Sequence, residues 1–490
     1  MWNDQAKVKC GRKDPGRGAR ALAVLLAAPA IGLAQPDERR LERAVRQAEP
    51  DSAAMVARRT LSFTEQAYAE AGGYFTFTAL HLNDSRANSR RMLQYDTTVF
   101  TRASFDVHTV FARARARYRD FSPGDSFDDR GDQWAEPVFD RYWYDLNWGG
   151  ASQPDENGRG GVDLNLRVGR QFVDWGAGLA LSEQLYAARP TLVIDNHWLI
   201  DGLIGITPSD EAIVDFDASR EEFDSDTRRG FFGGMLKYRT ESGHEVYGYG
   251  LYMEDYNTDS AARFGVLTSV DFNYESAYLG VGSNGSIGAD WLYLAEMVFQ
   301  TGESTSDPLR TSGGQTKEDI SAMAARAQLS YQFRDKNFSV AQIETLFATG
   351  DGDRQLTSET VGGNLTGTND EAYNSLGFTN TGLAFAPSLS NIMSLRLGAS
   401  TFPLRDNRDF SRLQIGGDFF VLGKLNDDGP IDEPTRDEAF LGVETDLFMN
   451  YRITSDLAFN LRYGAFFPGS AILGERDVRH FVLFAVTLSF

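Results

Sequence analysis

The sequence has almost no cysteine and no long apolar run. Its one cysteine, Cys10, lies ahead of the first apolar stretch. Nowhere do apolar residues continue for the roughly 18 positions that a membrane-spanning helix needs. The chain beyond residue 34 therefore contains no disulfide, no catalytic thiol and no lipoprotein anchor.

Basic charge and histidine are also scarce. The chain has 48 Lys and Arg against 69 Asp and Glu, which gives a net charge of -21, and this acidity argues against nucleic-acid binding. The 5 histidines do not recur with a nucleophile and an orienting group at any recognisable spacing. We therefore expect no enzyme, no cofactor and no metal site. A mean hydropathy of -0.36 excludes a helical membrane protein, whereas 12% aromatic residues and 48 Gly against 15 Pro suit a long-stranded all-β chain.

Residues 1–34 have the features of a cleaved secretory signal. Six Lys and Arg side chains precede the apolar run from Ala21 to Leu33, and Gly32-Leu33-Ala34 offers small residues for cleavage. Removing this segment takes the net charge from -21 to -25. We expect residues 35–72 to form a partly helical periplasmic leader and residues 73–490 to form the main domain.

An arginine row between Asp106 and Phe121 indicates what that domain is. Its four arginines occupy every second position: Arg113, Arg115, Arg117 and Arg119. A helix would scatter them around its circumference, whereas a strand places them on one face. Facing lipid, each would cost roughly 2–4 kcal/mol near the bilayer midplane, so in a membrane barrel they must face the lumen. The alternative is a soluble sheet with a solvated polar face.

The rest of the chain favours the barrel. Segments of about ten alternating or aromatic-rich residues recur, and short turns alternate with long connections, as in outer-membrane barrels with short periplasmic turns and long extracellular loops. The chain also ends on an aromatic residue, Phe490, after an alternating strand. We predict a transmembrane antiparallel β-barrel of about eighteen strands: 73–82, 93–103, 106–119, 138–148, 162–173, 198–207, 210–220, 229–240, 244–256, 275–285, 288–301, 321–333, 338–349, 392–402, 411–423, 438–452, 457–468 and 479–490.

The connections carry the same prediction. The predicted tight turns include Thr207–Asp210, Thr240–Gly243, Asn284–Ile287 and Asp335–Asn337. The predicted long connections include 174–197, 257–274 and Gly350–Asn391. The last of these is long enough to fold inward as a constriction or gate, and it could equally be mobile and exposed.

Strand alternation also predicts which charged side chains line the pore. Each single charge has an alternative role, a lumenal salt bridge that braces the wall. Besides the arginine row, the predicted lining residues are Arg141, Arg167, Arg326, Arg396, Arg462, Asp145, Asp163, Glu296 and Glu444.

Two stretches resemble the alginate-export family of outer-membrane porins. They are Leu166-Arg167-Val168-Gly169-Arg170-Gln171 and the segment from Asp446 to Ala471, which contains Phe467-Pro468-Gly469-Ser470-Ala471. The resemblance implies an eighteen-stranded monomeric barrel whose arginine-rich lumen lets an anionic polysaccharide diffuse out of the periplasm. It also implies that Arg167, Arg170 and Arg462 line the pore. Strict alternation points Arg170 outward, so an inward position requires a bulge or a strand end.

We therefore expect a passive, anion-selective export porin for an alginate-like polyuronate. The expected partners are the anionic polysaccharide, the outer membrane with its lipopolysaccharide, and periplasmic polysaccharide-export proteins. An uptake porin for phosphate or small organic acids is a second hypothesis, because it also uses basic pore residues. A structural barrel with a plugged lumen is a third.

Overall fold

The computed structural model describes residues 67–83, 89–125, 131–149, 161–208, 229–256, 260–263, 268–271, 273–306, 315–354, 364–433, 435–473 and 476–490. The predicted signal segment and most of the predicted leader lie outside these ranges. Among the described residues, no helix is long and apolar enough to cross a membrane.

The secondary structure of the described residues consists of β-strands. We number them in chain order: β1 (Ala67–Asn83), β2 (Ser89–Phe105), β3 (His108–Phe121), β4 (Gln133–Asn147), β5 (Val162–Trp175), β6 (Leu181–Ile194), β7 (Trp198–Ile206), β8 (Arg229–Arg239), β9 (Glu245–Asp255), β10 (Ser260–Arg263), β11 (Thr268–Asp271), β12 (Tyr274–Ile287), β13 (Trp291–Thr305), β14 (Lys317–Gln332), β15 (Val340–Ala348), β16 (Ile392–Thr401), β17 (Leu413–Gly423), β18 (Phe440–Arg452), β19 (Leu457–Pro468) and β20 (Arg479–Ser489).

Eighteen of these strands form one closed sheet. Each strand pairs antiparallel with the next along the chain, β9 pairs with β12, and β20 returns to pair with β1. The two remaining strands, β10 and β11, form a separate short hairpin between β9 and β12. Closure leaves no unpaired sheet edge, which is the condition for a β-sheet to cross a bilayer. The predicted eighteen-stranded antiparallel barrel is confirmed.

The two faces of the wall differ as strand alternation requires. In β20, Phe481, Leu483 and Ala485 are buried on the inner side, and the side chains between them point outward. At the closing seam, the backbone N–H of Phe490 donates to the Gly73 carbonyl at 2.9 Å, and the reverse bond has the same length. A side chain at position 73 would collide with the Phe490 ring, since a Cβ there would lie 2.8 Å from it. Position 73 therefore requires glycine.

One predicted strand cannot be compared with the structure, and one strand was missed. The predicted strand at 210–220 lies outside the described residues, and the wall passes directly from β7 to β8. The missed strand is β6, which occupies most of the predicted long connection 174–197. Pro190 weakened its strand signal, because proline cannot donate to a ladder. The β6–β7 ladder omits Arg189 and Pro190, and Gly202 lies against the proline ring.

Other boundaries also differ from the prediction. The predicted turn Asn284–Ile287 was wrong, because these residues complete β12 and the reversal falls at 288–290, where Gly288 has a φ of +66°. The predicted Thr207–Asp210 turn extends outside the described residues, which stop at 208 and resume at 229. The connection 257–274 contains the β10–β11 hairpin. The described part of β1 begins at Ala67, six residues before the predicted first strand.

Candidate pore wall and interior segment

The four arginines of the row share one face of β3. Arg113 is 3% exposed, and the three that follow are partly buried on the same side of the strand. The residues between them point to the outer face, where Tyr118 stacks on Tyr95 of the neighbouring strand. The row therefore follows the inner wall from near the short-turn end of β3 toward the long-connection end.

Acidic and amide side chains on neighbouring strands contact this row. Arg113 forms an ion pair with Asp140 of β4, and its Nε donates to that carboxylate at 2.9 Å. Arg115 pairs with Asp96 of β2, with an Nε to Oδ2 distance of 2.7 Å. Farther along β3, Arg119 donates to the Gln94 amide oxygen at 3.0 Å. The row thus lies in a polar groove that is partly neutralised by its own wall.

A local irregularity of β4 places two charged residues in succession at this wall. The β3–β4 register shifts twice, between Arg113 and Arg115 and again between Arg115 and Arg117, so β4 has an extra residue at each shift. Such bulges turn the next side chain to the other face. As a result, the consecutive residues Asp140 and Arg141 are both buried, at 2% and 1% exposure.

The polar wall continues onto β5. Arg167 donates to Asp145 at 2.9 Å, and its guanidinium lies 4.0 Å from the centre of the Trp143 ring. Asn165 also donates to Asp145 from the same face. Asp163 lies two residues closer to the start of the strand and is half-buried, opposite Val193 of β6.

Arg170 takes a different position. Its cross-strand partners are Tyr142 and Tyr186, and Tyr142 is exposed on the outer face, so the register points Arg170 outward. Its guanidinium packs 5.7 Å from the Tyr186 ring centre and donates to the Phe139 carbonyl at 3.4 Å. The register thus places Arg170 on the face opposite Arg167, yet only 2% of the residue is exposed, so its neighbours cover it.

The far wall carries mixed charges that pair with one another. Arg326 of β14 donates to Glu344 of β15 at 2.8 Å. Arg396 of β16 donates to both oxygens of Asp418 of β17, at 2.9 and 3.1 Å, and lies 3.8 Å from Glu344. These contacts link four adjacent strands through one chain of ion pairs.

An interior segment, residues 364–391, crosses the lumen from this far wall. The backbone N–H of Ser182 on β6 donates to the Leu376 carbonyl at 2.9 Å, and Leu181 bridges to Leu376 in parallel. Only a few residues later, Leu383 contacts β18. Because β6 and β18 are separated by at least seven strands in either direction around the wall, the segment must pass through the barrel interior. The sequence left two possibilities for Gly350–Asn391, folded inward or mobile and exposed. The described part of this connection folds inward.

A second inward turn, residues 176–180, meets the interior segment. Tyr373 and Ser375 both donate to the Leu179 carbonyl, at 2.9 and 2.7 Å. The backbones are in close contact, because a Cβ on Gly178 would lie 2.3 Å from the Phe378 carbonyl oxygen. Trp175, Leu179, Tyr373 and Leu376 belong to one apolar cluster with residues of the far wall. This part of the lumen is therefore packed rather than open.

Glu296 and Arg326 hold the second turn by its backbone. The Glu296 carboxylate accepts the Ala177 N–H, and Arg326 donates to the Ala177 carbonyl at 2.6 Å. The hydroxyls of Tyr247 and Tyr249 donate to the same carboxylate, at 2.5 and 2.7 Å. Both charged residues were predicted to line the pore; in the structure they contact the wall and this turn.

Glu444 holds the interior segment in the same manner from β18. Its carboxylate accepts three consecutive backbone N–H groups, from Leu383 and Ala384 at 2.5 Å and from Phe385 at 3.0 Å. Glu444 is fully buried. Phe385 stacks on Phe466 of β19 with the ring centres 4.1 Å apart, which fixes the segment beside this carboxylate.

Arg462 of β19 differs from the other inner-wall arginines. Its guanidinium lies 5.3 Å from the centre of the Phe448 ring and donates to the Leu461 carbonyl at 3.1 Å. Within the described part of the chain, no carboxylate is in salt-bridge contact with it. Its charge nevertheless interacts at longer range with the buried Asp418 of β17.

Sequence reasoning missed several of these residues. Asp96 had a usable signal, because Gln94, Asp96 and Thr98 alternate along β2 opposite the arginine row. Asp140 had none, since alternation assigns it to the face opposite Arg141 and only the bulge brings it inward. No group of three or more histidine, cysteine or acidic residues in the described ranges is placed to hold a metal ion.

Comparison with known proteins assigns the chain to a class. The family model described as alginate export matches residues 214–482, more than half of the chain. The chain therefore belongs to the alginate export family. Together with the closed eighteen-stranded barrel, this membership identifies an outer-membrane porin-type protein.

Solved structures of similar architecture come from Pseudomonas aeruginosa. OccK5 (OpdH) is 12% identical, with 88% of this chain and 100% of that chain covered and a TM-score of 0.48. OpdK, solved with vanillate, is 9% identical over 86% and 98%, with a TM-score of 0.47. OccK2 (OpdF), in complex with glucuronate, is 12% identical over 86% and 97%, with a TM-score of 0.45. Similarity this low says nothing about what the present chain transports. No protein among the curated sequences matches it.

Proposed function

We propose that this protein is a passive export porin for an anionic exopolysaccharide, an alginate-like polyuronate. The observation that carries the proposal is the row of four arginines on the inner face of β3, continued by Arg141 and Arg167 on the next two strands. Planar guanidinium groups match the geometry of carboxylates, which a polyuronate presents on every sugar. A row of them along the wall offers successive binding positions.

Passage requires that each binding position also release its ligand. Asp96, Asp140 and Asp145 each pair with one arginine of this wall. These carboxylates lower the net positive charge, so an entering uronate exchanges with an internal partner rather than meeting a bare cation. Weak binding at several sites is the condition for conduction.

The remaining parts of the proposal follow from the same reading. Residues 1–34 act as the cleaved export signal, and the mature monomer lies in the outer membrane among lipopolysaccharide. It receives the polymer from periplasmic polysaccharide-export proteins. Transport needs no energy input at this membrane and no catalytic step.

Planar-bilayer recording under a salt gradient tests this function. We expect a reversal potential that favours anions, and a current that added polyuronate blocks. A variant with Arg113, Arg115, Arg117 and Arg119 changed to Gln should lose most of both properties. A matched variant changes four exposed cations of the short connections to Gln, namely Arg334, Lys336, Arg405 and Arg408, and should retain them. Cation preference in the unchanged protein would contradict the proposal.

The plugged structural barrel is the second candidate, because the interior segment packs across the lumen. That function predicts no conductance under any condition. An uptake porin for phosphate or small organic acids predicts anion preference without block by polyuronate. The same recordings therefore distinguish all three.

A further inference from the structure

The interior segment contains a binding site for a carboxylate, which the wall itself occupies. Three successive N–H groups, those of residues 383–385, converge on the Glu444 carboxylate at 2.5 to 3.0 Å. Successive N–H groups pointing to one side form an anion-binding nest. Gly382, directly before the nest, has a φ of +115°, and a Cβ on it would lie 2.8 Å from the Glu444 carboxylate.

The ionised Glu444 carboxylate that occupies this nest is in an energetically unfavourable position. Asp446, two residues from Glu444 on the same inner face of β18, is also buried. Two neighbouring carboxylates that are both removed from water destabilise each other's ionised form. The three N–H groups therefore compensate for a costly arrangement, and an exchange that returned Glu444 to water would relieve it.

A cation capable of drawing an outside carboxylate to this place lies on the adjacent strand. Arg462 of β19 is two residues from Gly464, and a Cβ on Gly464 would lie 2.7 Å from the Leu383 side chain. Arg462 has no salt-bridge partner among the described residues; its guanidinium lies over the Phe448 ring and donates to the Leu461 carbonyl. The nest and a guanidinium that lacks a direct ion-pair partner among the described residues thus lie on neighbouring parts of one surface.

We infer that the nest at residues 383–385 is a gating site for uronate: a substrate carboxylate, attracted by Arg462, takes the place of Glu444 and frees the interior segment from β18. This inference rests on the proposed function and adds its regulation. The closed barrel opens in response to its own cargo, because Glu444 presents the same chemical group as each sugar of a polyuronate.

Single-channel recording with sodium glucuronate as the probe tests the inference. In the unchanged protein, we expect glucuronate to raise the open probability about tenfold or more, the scale set by losing charge-assisted hydrogen bonds, whereas glucose has no effect. Glu444→Gln should be open without glucuronate and insensitive to it. Gly382→Ala should behave alike, because it disrupts the same contact from the segment side without altering any charge.

The matched control is Asp201→Asn. Asp201 is a buried carboxylate on β7 that accepts hydrogen bonds from Trp175, Arg189 and Thr191 and not from the interior segment. It should respond to glucuronate like the unchanged protein, and Arg462→Gln should need more glucuronate for the same opening. Should Glu444→Gln fail to fold, Gly382→Ala carries the test.

Two results would overturn the inference: equal opening by glucose, or an unchanged glucuronate response in Glu444→Gln and Gly382→Ala. Failure of the proposed function is a separate outcome. A protein that shows anion preference and polyuronate block but no Glu444-dependent opening keeps its function and loses only this gating mechanism.

Discussion

The two sides of the lumen use charged residues in different ways. On β2 to β5, arginines pair with carboxylates of the same wall, as Arg113 does with Asp140 and Arg115 with Asp96. The far side has such ion pairs as well, for example between Arg396 and Asp418. In addition, its Glu296 and Glu444 bind the backbones of inward-folded residues. A charge on the inner face of a barrel can therefore serve the solute path or hold an interior segment, and only its contacts distinguish the two.

The largest effect is expected from locking the interior segment against β6. Leu181 and Leu376 bridge in parallel, and no native cysteine remains after residue 34. A Leu181→Cys, Leu376→Cys double variant should form a disulfide and remain closed, with open probability at least about tenfold below that of the reduced form. Single-channel recording before and after dithiothreitol measures the difference.

The single variant Leu376→Cys is the control for this lock, and it should be insensitive to dithiothreitol. If the oxidised double variant conducts as well as the reduced one, the interior segment does not obstruct the path. The far side would then be a packed support beside a permanently open arginine wall.

Removing an internal partner of the arginine row should change both the stability of the barrel and its anion preference. Asp96→Asn leaves Arg115 without its buried partner, which we expect to cost on the order of 3 kcal/mol in the free energy of unfolding. It should also strengthen anion preference, because the wall gains one net positive charge. Urea unfolding and the reversal potential measure the two effects.

A surface ion pair provides the control for Asp96→Asn. Lys317 and Glu303 pair at 3.3 Å with more than half of each side chain exposed, so Glu303→Gln should change stability by well under 1 kcal/mol. If Asp96→Asn gives a similarly small loss of stability and no change in selectivity, the Asp96–Arg115 pair does not set the charge of the wall.

A smaller effect should come from pH. Asp432, between β17 and β18, accepts the Ser388 N–H at 2.8 Å, and burial raises the pKa of its carboxyl to about 6. Since release of the segment returns this group to water, the closed state binds the proton more tightly. Closure is therefore favoured at acid pH. As pH rises from about 4 to 6, the ratio of the open to the closed state increases by at most about a hundredfold.

Open probability recorded across this pH range tests that effect. Asp432→Asn should remove the part of the pH dependence that lies between about 4 and 6. An identical pH profile in the variant would show that release of the segment does not change the environment of Asp432.

The sequence predicted the barrel and the arginine row because both depend on local alternation. Four arginines at every second position fit a strand with one charged face and do not fit a helix. It did not predict β6, where Pro190 and the polar residues at its start conceal the strand pattern. Nor did it predict that Asp140 faces inward, because a bulge in β4 interrupts the alternation of side chains.

The contacts of Glu296 and Glu444 with the backbones of inward-folded residues could not be predicted from the sequence. Glu444 and Leu383 are 61 residues apart, and Glu296 and Ala177 are 119 residues apart. No local pattern connects such partners, because closure of the barrel brings them together. Alternation correctly put both glutamates on the inner face, but it could not distinguish a pore-lining carboxylate from one that holds a segment.

The most direct test of the account is efflux of a fluorescent oligouronate from proteoliposomes containing the purified mature protein. A neutral oligosaccharide of the same length serves as the reference solute. We predict that the oligouronate leaves faster than the neutral chain, and that this advantage disappears when Arg113, Arg115, Arg117 and Arg119 are changed to Gln. Equal efflux of the two solutes from the unchanged protein, or an advantage that survives the four substitutions, would contradict the claim that this arginine wall is the path of an anionic polymer.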